Sequence, residues 1–71
     1  MKLLDTDVWV EDAQKKRFFS ADVYEDDKIG LIVLVKSPII QFPIGKPKYR
    51  VLFVRVDHLG KVLMADSWEE V

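Results

Sequence analysis

Between Lys28 and Val56 the chain contains no aspartate or glutamate, while most of its positions are apolar. Few folds accommodate such a stretch in a chain of 71 residues. Its longest apolar run, Ile29 to Val35, is too short to cross a membrane, and prolines at 38, 43 and 47 divide the rest. Apolar residues of both parities in Lys28–Lys36 (Ile29, Leu31, Val33, Val35 against Ile32, Leu34) indicate a central strand covered on both faces. Tyr49–Val56 repeats the pattern, with Leu52, Val54 and Val56 on one side and Val51, Phe53 and Arg55 on the other. The stretch is therefore the core of one domain over residues 1–71.

A domain of this size gains little from burial, and it has no cysteine for disulfides and only one histidine toward a zinc site. Its apolar fraction of 49% then implies either very efficient packing or a core completed by another protein or a second copy. A partner is the preferred expectation.

The charges are segregated. Residues 1–27 carry a net charge of −4, residues 28–56 carry +6, and residues 57–71 carry −3. Core strands exclude carboxylates, which explains the pattern through burial alone. A second explanation is a basic middle that meets an acidic surface, including the acidic ends of a twin molecule. The overall charge of −1 gives no global attraction for nucleic acid or an anionic membrane. The N-terminus turns acidic at Asp5 before a signal-peptide apolar region can form, so the expected compartment is cytoplasmic.

Alternation places further strands. Val8 and Val10 alternate with Asp7, Trp9 and Glu11, and Arg17–Tyr24 alternates again with Phe19, Ala21 and Val23 on one face. A four-residue loop at Asp12–Lys15 would set Glu11 opposite Lys16, Trp9 opposite Phe18 and Val8 opposite Phe19. A helix over Val10–Phe18 would present Val10, Ala13 and Arg17, a poorly apolar face. Glu25–Asp27 reads as a turn. Asp57–Gly60 reads as a tight turn that returns Lys61–Ala65 antiparallel to Tyr49–Val56. Ser67–Glu70 has capping-box spacing but too little chain after it, so it is expected as a tail or one docked helical turn. The fold class is mainly β: a small five-stranded antiparallel barrel or strongly curled sheet, SH3-like or OB-like, because closure removes exposed edges.

Catalytic chemistry is not indicated. His58 sits in a turn, no thiol is present, Ser20, Ser37 and Ser67 have no evident base, and Gly45-Lys46 lacks the earlier glycine of a phosphate loop. No enzyme activity, metal, cofactor or small-molecule substrate is expected. The Ser37–Lys48 connection is unusual: Ile39, Ile40, Phe42 and Ile44 fall among three prolines. It is expected either to plug the end of the barrel or to act as a stiff docking finger, its prolines keeping it out of central pairing. Contact candidates are Ile40 and Phe42 there, the aromatic residues Trp9, Phe18 and Tyr24 on the second face of the first hairpin, Trp68, and the unopposed bases Lys46, Lys48 and Arg50. The expected function is a non-catalytic protein-interaction module: a homo-oligomer, or an accessory or inhibitory subunit of a larger protein. The alternative is a small barrel that stacks single-stranded nucleic acid on its aromatic residues; Asp22 on the same face opposes it.

Overall fold

The computed structural model describes residues 1–39, 46–52, 54–56 and 61–71, and every regular element in them is a strand. In chain order these are β1 (Lys2–Asp12), β2 (Arg17–Asp26), β3 (Gly30–Ile39), β4 (Tyr49–Val51), β5 (Val54–Val56), β6 (Val62–Ala65) and β7 (Trp68–Glu70). They form one sheet in the order β5-β6-β3-β2-β1-β4-β7.

The ends of that order are made of the same two chain segments. Val51 pairs with Trp68 in β4/β7, Val54 pairs with Ala65 in β5/β6, and between them the Leu52 N–H donates to the Ser67 carbonyl at 2.8 Å. Tyr49–Val51 run opposite Glu70–Trp68 and Val54–Val56 opposite Ala65–Leu63 in one and the same register. β4/β7 and β5/β6 are thus two halves of one bent hairpin. One half joins β1 and the other joins β3, so the sheet curls strongly toward a barrel. Among the described residues, taking β4 with β5 and β6 with β7 as one strand each gives five, the number the sequence leads one to expect. An odd ring cannot alternate direction throughout, and the mismatch falls at β1/β4, which is parallel (Val10 beside Tyr49, Asp12 beside Val51). The expected all-antiparallel arrangement fails at that pair.

Alternation explains the interior. Val10 of β1, Phe19, Ala21 and Val23 of β2, Leu31 and Val33 of β3, Tyr49 and Val51 of β4, and Leu63 and Ala65 of β6 are buried together. Leu4, Val8, Val35 and Trp68 pack against them. The C-terminal segment is strand β7, neither a helical turn nor a tail, because its backbone completes the β4 ladder and Trp68 faces the core.

The first hairpin forms with the expected faces but another register. Its loop is Ala13–Lys16, so Glu11 lies opposite Phe18, Val10 opposite Phe19 and Trp9 opposite Ser20. Asp12 decides this: its Oδ1 accepts from the N–H of Gln14 (3.2 Å) and Lys15 (3.4 Å), its Oδ2 lies 3.2 Å from the Arg17 guanidinium, and Lys16 takes φ 54°. The second turn, residues 27–29, is two residues later than the acidic run suggests. Asp26 Oδ1 accepts from the N–H of Lys28 (2.9 Å) and Ile29 (3.1 Å), and Gly30 at φ 99° starts β3. β3 then runs through Pro38, which pairs with Phe19. β6 accompanies only Leu31–Leu34, so Pro38 lies past that ladder's end, where a missing N–H is tolerated.

Candidate functional site

Strand alternation turns a second set of side chains outward, and register assigns their neighbours. Across the strands, Leu3, Tyr24, Ile32 and Met64 form one row that ends beside Arg55 of β5. In the next row Asp22, Leu34 and Val62 follow one another on β2, β3 and β6. Leu3 is 52% and Leu34 41% exposed, while Tyr24, Ile32, Val62 and Met64 are half-buried. Leu3, Tyr24, Ile32 and Met64 of the first row with Leu34 and Val62 of the second make an apolar patch on the outer face, centred on β3 and bounded on the β2 side by Asp22.

Below the patch the face becomes ionic. Asp22 lies between irregularities in both neighbouring strands: β1 carries an extra residue near Asp7 (φ 52°), and β3 carries Lys36 as an extra residue between Val35 and Ser37. Thr6 Oγ1 donates to Asp22 Oδ1 at 2.6 Å and the Asp7 N–H at 3.0 Å. Lys36 Nζ lies 2.7 Å from Asp7 Oδ1 and 3.3 Å from Asp22 Oδ1. The Thr6 hydroxyl foremost, then the Asp7 N–H and Lys36, hold the Asp22 carboxyl below its ordinary range; the bond to Asp7 foremost raises Lys36.

Farther along the same face lie Trp9 and Phe18, both half-buried, with Ser20 opposite Trp9 and Glu11 opposite Phe18. Tyr24 is six residues along β2 from Phe18, about 20 Å at strand rise. The three aromatic residues share a face, as expected, but they form no single platform, because the Asp22–Lys36 cluster separates them.

The basic candidates are mostly engaged. Arg50 Nε lies 2.7 Å from Glu11 on β1 and its NH1 3.4 Å from Glu69 on β7, and Glu11 foremost raises its pKa. Lys48 Nζ lies 3.8 Å from Glu70. Both were expected to be unopposed; the pairing of β4 with two acid-bearing strands corrects this. Lys46 is exposed. Trp68, expected as a partner anchor, packs against the core beside Gly30. Ile40, Phe42 and most of the proline-rich connection lie outside the described residues, as does the Asp57–Gly60 turn with His58.

Sequence reasoning missed the patch. Ile32 and Leu34 were assigned to a doubly covered strand, and their alignment with Val62 and Met64 depends on a pairing that sequence distance hides. The apolar parity of Lys61–Ala65 was the available signal.

Among the described residues no group of three or more His, Cys, Asp or Glu side chains is placed to hold a metal, and no helix is long and apolar enough to cross a membrane. What the surface offers chemically is desolvation of apolar groups beside neutralised charge pairs. Compared with known proteins, the chain matches no family model, no curated protein and no solved structure.

Proposed function

We propose that this chain is a non-catalytic protein-interaction module of the cytoplasm, working as a homo-oligomer or as a small accessory or inhibitory subunit, and that it docks through the outer apolar patch. One observation carries the reading: Leu34, on a strand paired along both edges, is 41% exposed beside Val62 and next to the apolar row Leu3, Tyr24, Ile32 and Met64. A central strand with apolar side chains on both faces belongs in a sheet covered on both sides, and contiguous exposed apolar surface marks interaction sites. The inner cover is the chain's own core; the outer one is a partner.

Leu34→Asp tests this. Partners captured from cell extract by the wild-type chain are purified and titrated against wild type, Leu34→Asp and Trp9→Ala. Binding lost in Leu34→Asp and kept in Trp9→Ala supports the patch; binding indifferent to Leu34 refutes it. The nucleic-acid reading loses support from the pairing of Lys36, Lys48 and Arg50 with carboxylates and from the split between Trp9–Phe18 and Tyr24. Anisotropy with a single-stranded oligonucleotide is expected to show no binding at low salt, whereas salt-sensitive binding would restore that reading.

A further inference from the structure

We infer that residues 2–7, the first half of β1, form a strap that opens from the barrel as a unit while the rest of the fold stays closed. The strap is a conformational device of the sheet itself and does not depend on the outer patch.

Register divides β1 in two. From Val8 to Asp12 the strand runs residue for residue against β2 from Ala21 to Arg17, and β4 flanks Val10 to Asp12 on the other side. Val10 and Asp12 have no exposed surface. In the first half the ladder is irregular twice, between Leu3 and Asp5 and again between Asp5 and Val8, so β1 carries extra residues that β2 does not match. Among the described residues only β2 pairs with this half. None of its side chains is buried, and of the six only Leu4 packs against the core. A segment with few buried apolar contacts and an interrupted ladder belongs to the low end of local stability.

Two polar latches hold it instead. At one, Asp22 Oδ1 on β2 accepts from Thr6 Oγ1 at 2.6 Å and from the Asp7 N–H at 3.0 Å, while Lys36 Nζ of β3 lies 2.7 Å from Asp7 Oδ1. At the other, the Tyr49 hydroxyl on β4 donates to Asp5 Oδ2 at 2.6 Å. Hydrogen bonds weaken steeply with misalignment, so one movement of the β1 backbone releases both latches. Asp7 stands at the junction with φ 52°, an uncommon value for a residue other than glycine, and opening frees it from that conformation. Closed, the strap covers the β2 edge at Val23, Tyr24 and Glu25. Open, it leaves that edge without its partner, and bare strand edges invite pairing with another chain. The strap is thus a guard on an edge that the closed fold hides.

Native-state hydrogen exchange on the full chain, read by NMR, tests the proposal. The amides of residues 3–7 that are bonded to β2 should share one opening equilibrium, populated on the order of 10-fold or more above that of the Val10, Val33 and Leu63 amides. Asp12→Ala removes bonds in a turn that stays closed. It should speed exchange at Val10, Val33 and Leu63 by on the order of 10-fold and leave the strap amides unchanged. Thr6→Val and Tyr49→Phe, one from each latch, should each speed the strap amides by on the order of 10-fold. If Asp12→Ala does not fold, low concentrations of urea carry the same test on the wild-type chain, with a shallow response in the strap and a steep one at Val10. Strap amides that exchange in step with Val10 throughout overturn the strap. So do strap amides that exchange one by one with no common value. Exchange there that is indifferent to both Thr6→Val and Tyr49→Phe overturns the latches.

Discussion

Asp12 has no exposed surface, yet its carboxylate is satisfied, since Gln14 and Lys15 donate to one oxygen and Arg17 lies against the other. Removing the carboxylate would strand two turn N–H groups and release the turn that sets the hairpin register. Asp12→Ala should therefore lower unfolding free energy in urea by about 1–3 kcal/mol, while Asp12→Asn, which keeps one accepting oxygen, should retain most of it. Equal losses in the two variants would argue against the turn bonds as the cause. Gly30 is constrained differently. Its φ is 99°, and a Cβ there would lie 2.6 Å from the Ala65 carbonyl oxygen and 3.4 Å from the Trp68 ring. Backbone on β6 cannot move aside as a side-chain tip would, so Gly30→Ala should lower stability by about 1–3 kcal/mol, measured by the same denaturation. Neither role was legible in sequence. Asp12 opens a polar run in which several loop positions satisfy the same alternation, and Gly30 sits inside an apolar run that looks like strand interior.

At the scale of elements, what was legible is what neighbouring residues decide. Alternation found the first hairpin and assigned Val8, Val10 and Phe19 to one face and Trp9, Phe18 and Tyr24 to the other; burial agrees, with Val10 and Phe19 inside. It also found β3 and the antiparallel pairing of Val54–Val56 with the strand at Lys61–Ala65, whereas Tyr49–Val51 pair with Trp68–Glu70. Decisions made between distant residues were not legible. The extra residues near Asp7 and at Lys36 are set by Asp22 from the strand between them, and nothing local to either announces them. The bend at Asp66–Ser67 changes which residues face inward, from Leu63 and Ala65 to Trp68, so capping-box spacing there was misleading. β7 thereby becomes a structural element. Trp68→Ala should reduce stability by about 2–3 kcal/mol, below the range for a fully buried tryptophan because this one is half-buried. Trp9→Ala on the outer face should cost less, and urea melts followed by circular dichroism compare the two. A Trp68→Ala chain as stable as wild type would return that residue to the list of partner anchors.

Over the whole molecule, the charge segregation of the sequence is resolved by the topology. Lys36 meets Asp7 and Asp22, Arg50 meets Glu11 and Glu69, Lys48 meets Glu70, and Arg55 meets Asp66. In each pair a base from the acid-free middle joins an acid from a terminal block, because β1 and β7 flank β4 and β2 flanks β3. These bases find the acidic ends of their own chain, not those of a twin. Most of these pairs are solvent-exposed, so each contributes little and added salt should lower the melting temperature slightly.

Proton linkage gives the sharper expectation. Asp22 and Asp26 titrate below their ordinary 3.8 in the folded chain, Asp26 because the Lys28 and Ile29 N–H groups bond its carboxylate. Groups lowered on folding stabilise above the unfolded value, and that stabilisation is lost as pH falls through the folded one. Lys36 is raised above 10.5 and Tyr49 above 10.0, the latter by burial and then by its 2.6 Å bond to Asp5. Their contribution is present below those values and is lost as pH rises through the folded ones. Stability should therefore fall below about pH 4 and above about pH 10, with these four groups adding no slope between. Thr6→Val isolates the acid limb, because the Thr6 hydroxyl is the largest support of the Asp22 carboxylate. The NMR titration midpoint of Asp22 should rise toward 3.8, and the acid loss of stability should become shallower as the folded and unfolded values converge. An unchanged midpoint would mean that the Asp7 N–H and Lys36 suffice to hold Asp22 ionised without the hydroxyl.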